Sequence, residues 1–475
     1  MTLELEREEI RDVGKKLSRR NFLAGTAGTT AGVMAAGLGG GKANAAQSVV
    51  HKPTILVESM AELPPKRGLR GVIIGGGWGG LTMAKHLKRR VPEMEVILIE
   101  RRSVFMSCPV SNLWLADIID YKFLIHSFVD AARNNNYTFF NATVIDVDRE
   151  QKRIYTERGY VDYDYLVLSP GIDYDYDDIG VHEPEHKQAV MTHFPAAFKP
   201  GSEHITLKRK VDNFRRGIFL LTVPSGNYRC PPAPYERACM IAAVFKRKKL
   251  PAKVVLLDNN HDIKIKGEGF HAAFDELYKD YIEYYPSMKV RGVDVENKIL
   301  LEDIEDFPFE DAAIYPRIRG ARIVETMGIV SETSPQMEAR ISQYRNNLID
   351  DFHVYVIGDS RSTGYSKSGS TAQAEARFVA KVIAGRIAGH EIEWESPYTS
   401  CYSMVAADPA MAIYFGSEYL PPMADITALS MEYTINQWMD SGAAFAWRDR
   451  NMNRSVDMGD EMIGWALTHY AEMFR

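Results

Sequence analysis

Apolar residues along this chain follow two rhythms. Short unbroken apolar runs occur at 72–74, 96–99, 166–168, 218–221, 254–257 and 354–357. Each reads as a strand buried on both faces. Stretches with helical spacing occupy 81–90, 234–248 and 370–388. The order strand, turn, helix, strand therefore appears twice, over 72–99 and over 217–258, as in parallel α/β units. Between the two, residues 137–174 alternate like the strands of a meander. Residues 47–65 form a lead-in with little pattern. After 397 the character changes: 398–412 predicts strands, and 431–438 and 461–474 predict helices. In the last of these, Ile463, Ala466, Leu467, Tyr470 and Phe474 share one face. That helix lacks a basic polar face, so packing on the core is expected rather than membrane binding.

The first strand–turn–helix carries chemistry. Gly75, Gly77 and Gly80 occupy the positions of G-x-G-x-x-G between the strand at 72–74 and the helix at 81–90. The first allows a tight turn, the second lets backbone approach a pyrophosphate, and the third lets helix pack on strand. The phosphates would lie at the helix N-terminus, where free N–H groups and the dipole favour an anion. Glu100 ends the next strand, about where an acid is needed to hold a ribose hydroxyl.

The second unit lacks that equipment. Its turn, 224–234, contains Pro224, Pro231, Pro232 and Pro234 instead of three glycines, which obstructs a pyrophosphate. This counts against an NAD(P)H dehydrogenase. The strand at 354–357 ends in Gly358-Asp359, with a helix from about 370. That placement suits an aspartate on the ribityl chain of FAD and a helix N-terminus at the flavin. The expected fold is α/β: two Rossmann-like dinucleotide-binding domains of the glutathione-reductase type, plus a C-terminal α+β domain. The boundaries read as 66–175 with 306–396 for the FAD-binding domain, 176–305 for the second nucleotide fold, and 397–475 for the last.

Composition is that of a protein with sizeable cores: 475 residues, 45% apolar and 25% charged. Net charge is −6, and no basic stripe runs along the chain, so nucleic acid is not expected as a partner. Residues 1–45 read as a twin-arginine signal. Arg19-Arg20 precede Asn21-Phe22-Leu23, a Gly/Ala-rich run follows, and Ala43-Asn-Ala45 supplies small residues for cleavage. The glycines make that run a poor membrane-spanning helix, and no other stretch is long and apolar enough to span. The expected location is the periplasm.

The cysteines are Cys108, Cys230, Cys239 and Cys401. No pair has C-x-x-C or C-x-x-C-H spacing, so no c-type haem, zinc or iron–sulfur site is expected on this chain. Four runs around them carry a family resemblance: 106–112 (Met-Ser-Cys-Pro-Val-Ser-Asn), 228–237 (Tyr-Arg-Cys-Pro-Pro-Ala-Pro-Tyr-Glu-Arg), 365–369 (Tyr-Ser-Lys-Ser-Gly) and 400–403 (Ser-Cys-Tyr-Ser). Together they resemble the flavoprotein subunit of flavocytochrome c sulfide dehydrogenase, from about residue 68 to the C-terminus.

The resemblance implies FAD, sulfide or another reduced sulfur compound as donor, and a c-type cytochrome subunit or soluble cytochrome c as acceptor. Cys108 matches a cysteine that bonds the flavin covalently through a thioether. Cys230 matches one half of a redox disulfide, and Glu236 matches the carboxylate beside it. Lys367 and Ser368 fall in the run after Gly358-Asp359 and are expected at the cofactor. The family's second redox cysteine is expected between 328 and 345, where this chain has none. Cys401 is read as structural and Cys239 as core, while a Cys230–Cys239 or Cys230–Cys401 bridge stays open. Two other readings stay open as well: a sulfide:quinone-type flavoprotein at the membrane surface, and a non-catalytic flavin-binding partner protein.

Overall fold

The structure is a computed structural model and describes residues 57–419, 435–437 and 444–475. The signal-like segment 1–45 lies outside the described residues. In chain order the elements that matter begin with β1 (Arg70–Ile74), α1 (Trp78–Arg90), β2 (Glu95–Ile99), α2 (Ser111–Leu115) and β3 (Thr138–Phe140). The meander follows as β4 (Val144–Asp148), β5 (Arg153–Thr156) and β6 (Gly159–Asp162), leading into β7 (Tyr165–Leu168). The second unit holds β8 (Gly217–Val223), α3 (Ala233–Lys248), β9 (Ala252–Asp258), α4 (Gly267–Leu277), β10 (Ile282–Tyr285) and β11 (Asp311–Ala313). The chain then continues through β12 (Val354–Val356), α5 (Gly369–Ala388), β13 (Thr399–Ala407), β14 (Ala410–Tyr419), β15 (Ile435–Gln437), β16 (Ala444–Ser455) and α6 (Val456–Phe474).

Two parallel sheets form the frame. The first runs β12-β7-β1-β2-β3 and the second β10-β9-β8-β11, all parallel. All five residues of β1 are buried, because α1 packs on the face of Ile73 and the meander on the face of Val72 and Ile74. This is why 72–74 is continuously apolar rather than alternating. Each such aliphatic side chain contributes roughly 1.5–3 kcal/mol on full burial. The β12 strand joins the first sheet beside β7 although the second unit intervenes in sequence. The Gly358-Asp359 turn is thereby brought to the same sheet end as the glycine turn. A third, antiparallel sheet runs β13-β14-β16-β15.

Three expectations are corrected. The lead-in is not featureless: Met60 bridges Tyr160, and the amide of Ala61 donates to the Tyr160 carbonyl at 2.9 Å, extending the meander. The helix expected over 431–438 is replaced, where the structure describes it, by β15, whose backbone pairs antiparallel with 444–446. The rest of that stretch lies outside the described residues. In α6 the buried face is Gly459, Met462, Ala466, Tyr470 and Met473, with Phe474 beside it, while Leu467 is 52% exposed. The apolar stripe is rotated because α6 packs on α1 and β14. There the Trp78 and Trp465 rings stack at 5.5 Å.

Candidate functional site

A cleft of about 1260 Å³, open mouth included, lies between the two sheet ends. At one end stands the glycine turn. Gly75 has φ +101°, and a Cβ on Gly80 would fall 1.8 Å from the Gly75 carbonyl, so neither tolerates a side chain. A Cβ on Gly77 would meet nothing within 4 Å, because the space above it is the open cleft. Helix α1 begins there with no side-chain cap and no acid in its first turn, leaving its N–H groups to a ligand anion. Glu100 accepts the amide of Gly76 at 2.8 Å and the amide and guanidinium of Arg102 at 2.9–3.1 Å. Burial pushes its carboxyl up, but the Arg102 charge and these hydrogen bonds outweigh it and hold the group below the usual carboxylate range. It is a fixed anionic acceptor on the cleft wall. These features fit the adenosine and pyrophosphate of a dinucleotide.

The middle of the cleft is set by β12 and α5. Gly358 has φ +72° and donates its amide to Glu375 at 2.7 Å, while Asp359 accepts Arg229 Nε at 2.6 Å. Ser368 caps α5 by accepting the Thr371 amide at 3.2 Å, and both Ser368 and Asp359 line the cleft. Lys367 does not. Its side chain points behind the wall, where the ammonium pairs with Glu338 and donates to the Asp359 carbonyl at 2.7 Å. Its reach toward the cleft is through its backbone, whose carbonyl accepts the Cys230 amide at 2.7 Å. Arg229, which sequence reading passed over, lies in the middle of the cleft. Its position beside Cys230 was the available signal.

Sulfur gathers at the far end. Cys108 and Cys230 line the cleft, and Cys230 sits at φ +55° in the proline-rich turn before α3. Glu236, in the first turn of α3, is buried. It accepts Asn112 Nδ2 at 2.7 Å from α2 and the Met404 amide at 2.8 Å from β13. Burial raises the Glu236 carboxyl above its ordinary range despite those two donors. Burial also lifts the Cys108 thiol, opposed by Arg229 and Arg237. Burial raises Cys230 further, and of the charges acting on it Cys401 is the largest, followed by Glu236 and Cys108.

β13 brings Cys401 near enough to Cys230 for its charge to be the largest acting on that thiol, a placement the sequence alone did not give. All four cysteines are free thiols in this structure. Cys239 is fully buried in α3, as expected of a core residue. Lys266 was also missed: its ammonium lies 3.5 Å from Cys401 Sγ. Nothing in its local sequence marks it. Among the described residues, no group of three or more His, Cys, Asp or Glu is arranged to hold a metal ion.

The second unit has its nucleotide position filled from within. Asp258, at the end of β9, accepts Tyr235 at 2.5 Å, Tyr284 at 2.9 Å, and both the amide and side chain of Asn260. Those partners hold Asp258 at 0% exposure and away from the cleft, whereas Glu100 lines it.

One ligand-ready glycine turn, one closed one and a thiol cluster at the cleft's end define a flavoprotein oxidoreductase of the two-dinucleotide class, binding FAD. The family described as pyridine nucleotide-disulphide oxidoreductase matches residues 69–191, and that of the sulfide dehydrogenase (flavocytochrome c) flavoprotein chain, central part, matches 205–311. A sulfide dehydrogenase (flavocytochrome c) flavoprotein chain of Chlorobaculum thiosulfatiphilum is 44% identical over 43 residues, 9% of this chain and 90% of that sequence. The sulfide-quinone reductase of Aquifex aeolicus is 20% identical over 417 residues, covering 82% of this chain and 94% of that one. The mitochondrial sulfide:quinone oxidoreductase of Mus musculus is 24% identical over 190 residues, 40% of this chain and 41% of that protein's length. The solved sulfide:quinone oxidoreductase of A. aeolicus superposes with a TM-score of 0.66 at 15% identity, over 86% of this chain and 91% of that one. The chain belongs to the sulfide dehydrogenase and sulfide:quinone oxidoreductase family of flavoproteins.

Proposed function

We propose that this protein is a sulfide dehydrogenase that is exported by the twin-arginine route, works in the periplasm, and passes electrons to a c-type cytochrome. The observation that carries the reading is Cys230 and Glu236 at the end of the cleft, with Cys401 behind them supplying the largest charge on Cys230. Cys230 and Cys401 would form the redox disulfide in the resting enzyme. Cys230 faces the cleft and Cys401 stands behind it. Hydrosulfide therefore attacks Sγ of Cys401, an S–S bond forms between them, the Cys230–Cys401 bond breaks, and Cys230 leaves as a thiolate. The sulfide sulfur is oxidised and the disulfide reduced by the same electron pair. Glu236 accepts the proton of the incoming hydrosulfide, a task suited to a carboxyl whose pKa burial has raised. FAD, when bound, would supply the two-electron acceptor, and Cys230 bonds to the outer sulfur of the Cys401 persulfide as its electron pair is given up. Cys108, which lines the cleft, would tether that cofactor by a thioether and so prevent its loss outside the cytoplasm. The glycine turn, Glu100, Gly358-Asp359 and Ser368 would hold it.

The test is anaerobic addition of sulfide to the yellow holoprotein, then addition of cytochrome c. The flavin absorbance should fall on sulfide and return as cytochrome c is reduced; no loss of absorbance would sink the reading. The second reading, quinone reduction at a membrane surface, draws support from the length of the match to the Aquifex protein and from the exposed Val456 and Leu467 on α6. Reoxidation by a quinone analogue but not by cytochrome c would favour it. No described helix is long and apolar enough to cross a membrane. Turnover with either acceptor would exclude a non-catalytic role as a flavin-binding partner.

A further inference from the structure

Lys266 is a buried cation in an unusual place. It is 5% exposed and caps the N-terminus of α4 with φ +64°, a left-handed conformation that non-glycine residues adopt only when surroundings hold them there. Its ammonium donates to the Cys401 carbonyl at 2.9 Å, Ser403 Oγ at 2.8 Å and the Ile413 carbonyl at 3.4 Å, and it lies 3.5 Å from Cys401 Sγ. The Phe415 ring centroid is 5.2 Å away. These hydrogen bonds go to carbonyls, a hydroxyl and a thiol. They solvate the ammonium without neutralising it, and a buried charge without a counter-charge is costly. The groups that supply negative charge are Cys401 first, then Glu236 and Cys230. Burial lowers the lysine from its ordinary value, and those three oppose the drop.

We propose that Lys266 is the counter-ion of the sulfur anion at Cys401. It stabilises the Cys401 thiolate in the reduced protein and, in the reading above on which this part rests, the persulfide anion left there once hydrosulfide has bonded to Sγ and given its proton to Glu236. Ser403 shares the lysine and orients it. The arrangement makes the two sulfurs unequal: Cys401, next to a cation, holds the substrate sulfur, and Cys230, facing the cleft, releases electrons. Burial raises the Cys401 thiol, and Lys266 is the largest force in the other direction. The titratable groups around Cys401 are Lys266 from the start of α4, Glu236 from α3 and Cys230 from the turn before it, with Cys108 acting on Cys230 from beyond.

The experiment uses flavin-loaded Cys230→Ser protein, in which the Cys401 thiol is free to titrate. The rate of its alkylation by iodoacetamide, followed on the Cys401 peptide by mass spectrometry, is measured across pH. Adding Lys266→Met should raise the midpoint by roughly 1–3 units, and Lys266→Arg should restore most of it. Lys266→Gln, polar and neutral, should behave as Met does and serves if the Met variant loses its flavin. A midpoint that stays put in flavin-retaining Met or Gln protein overturns the proposal. Wild-type protein is tested for sulfide bleaching in parallel. Bleaching with an unmoved midpoint defeats only the role of Lys266. A moved midpoint without bleaching defeats the sulfide reading and leaves Lys266 as the thiolate's counter-ion.

Discussion

The amide of Cys230 donates to the carbonyl of Lys367 at 2.7 Å, tying the proline-rich turn of the second unit to the entry of α5. Cys230 is held in a left-handed conformation by this bond and by the adjacent bridge between Arg229 and Lys367. Lys367 is itself fixed by Glu338, the two side chains being 1% and 11% exposed. Glu338→Ala leaves a buried ammonium unpaired and should cost about 3–5 kcal/mol. Urea unfolding would measure this, and the variant should also alkylate faster at Cys230.

Cys401 and Cys239 provide an internal contrast. Cys401→Ser should abolish the sulfide-dependent loss of flavin absorbance, because no disulfide can form with Cys230. Cys239→Ser should keep it, since that thiol is enclosed in the core of α3. Stopped-flow absorbance of both variants decides whether Cys401 is a working sulfur.

Glu236→Gln keeps the shape of the hydrogen-bonding group and removes the base. The rate of flavin reduction should fall by about 10²–10⁴-fold. In the wild type the rate should rise with pH as Glu236 loses its proton, over a range above that of ordinary carboxylates because burial raises the group. That rising limb should vanish in the variant.

Cys108→Ser tests the thioether directly. After acid precipitation, flavin should remain in the wild-type pellet and appear in the supernatant of the variant. Release from both would refute a covalent link.

Glu472 joins α6 to two other helices, accepting Arg377 from α5 at 2.9 Å and meeting His86 of α1 at 3.2 Å. Burial pushes its carboxyl up, but the hydrogen bonds from His86 and Arg377 win and take it from 4.5 down to about 2. A depressed folded-state value means the stabilisation is present above 4.5 and is lost as pH falls toward 2. Tryptophan fluorescence should report loosening of α6 in that window. Glu472→Gln should begin loosened at pH 5, with the difference from wild type closing by pH 2.

The sequence alone determined the frame. Gly75 and Gly80 announce a dinucleotide turn because steric demand there admits only glycine, Gly77 and Glu100 complete its spacing, and the prolines of 224–234 obstruct a second one. The central parallel strands follow from continuous apolar runs, since a parallel sheet buries both faces. Local spacing could not say what meets across the fold. Glu236 was legible beside Cys230, but Cys401 and Lys266 come from β13 and the start of α4, and only the docking of the antiparallel sheet on the second unit brings them to Cys230. The same limit misplaced Lys367: its position beside Asp359 was legible, but the buried carboxylate of Glu338 draws its charge behind the cleft wall. It also misjudged the stripe of α6, where propensity allowed several rotations and contact with α1 and β14 selected one. Residue types with a single steric solution can be read from the chain, whereas charge pairing between distant segments is settled only when the low-dielectric interior brings them together.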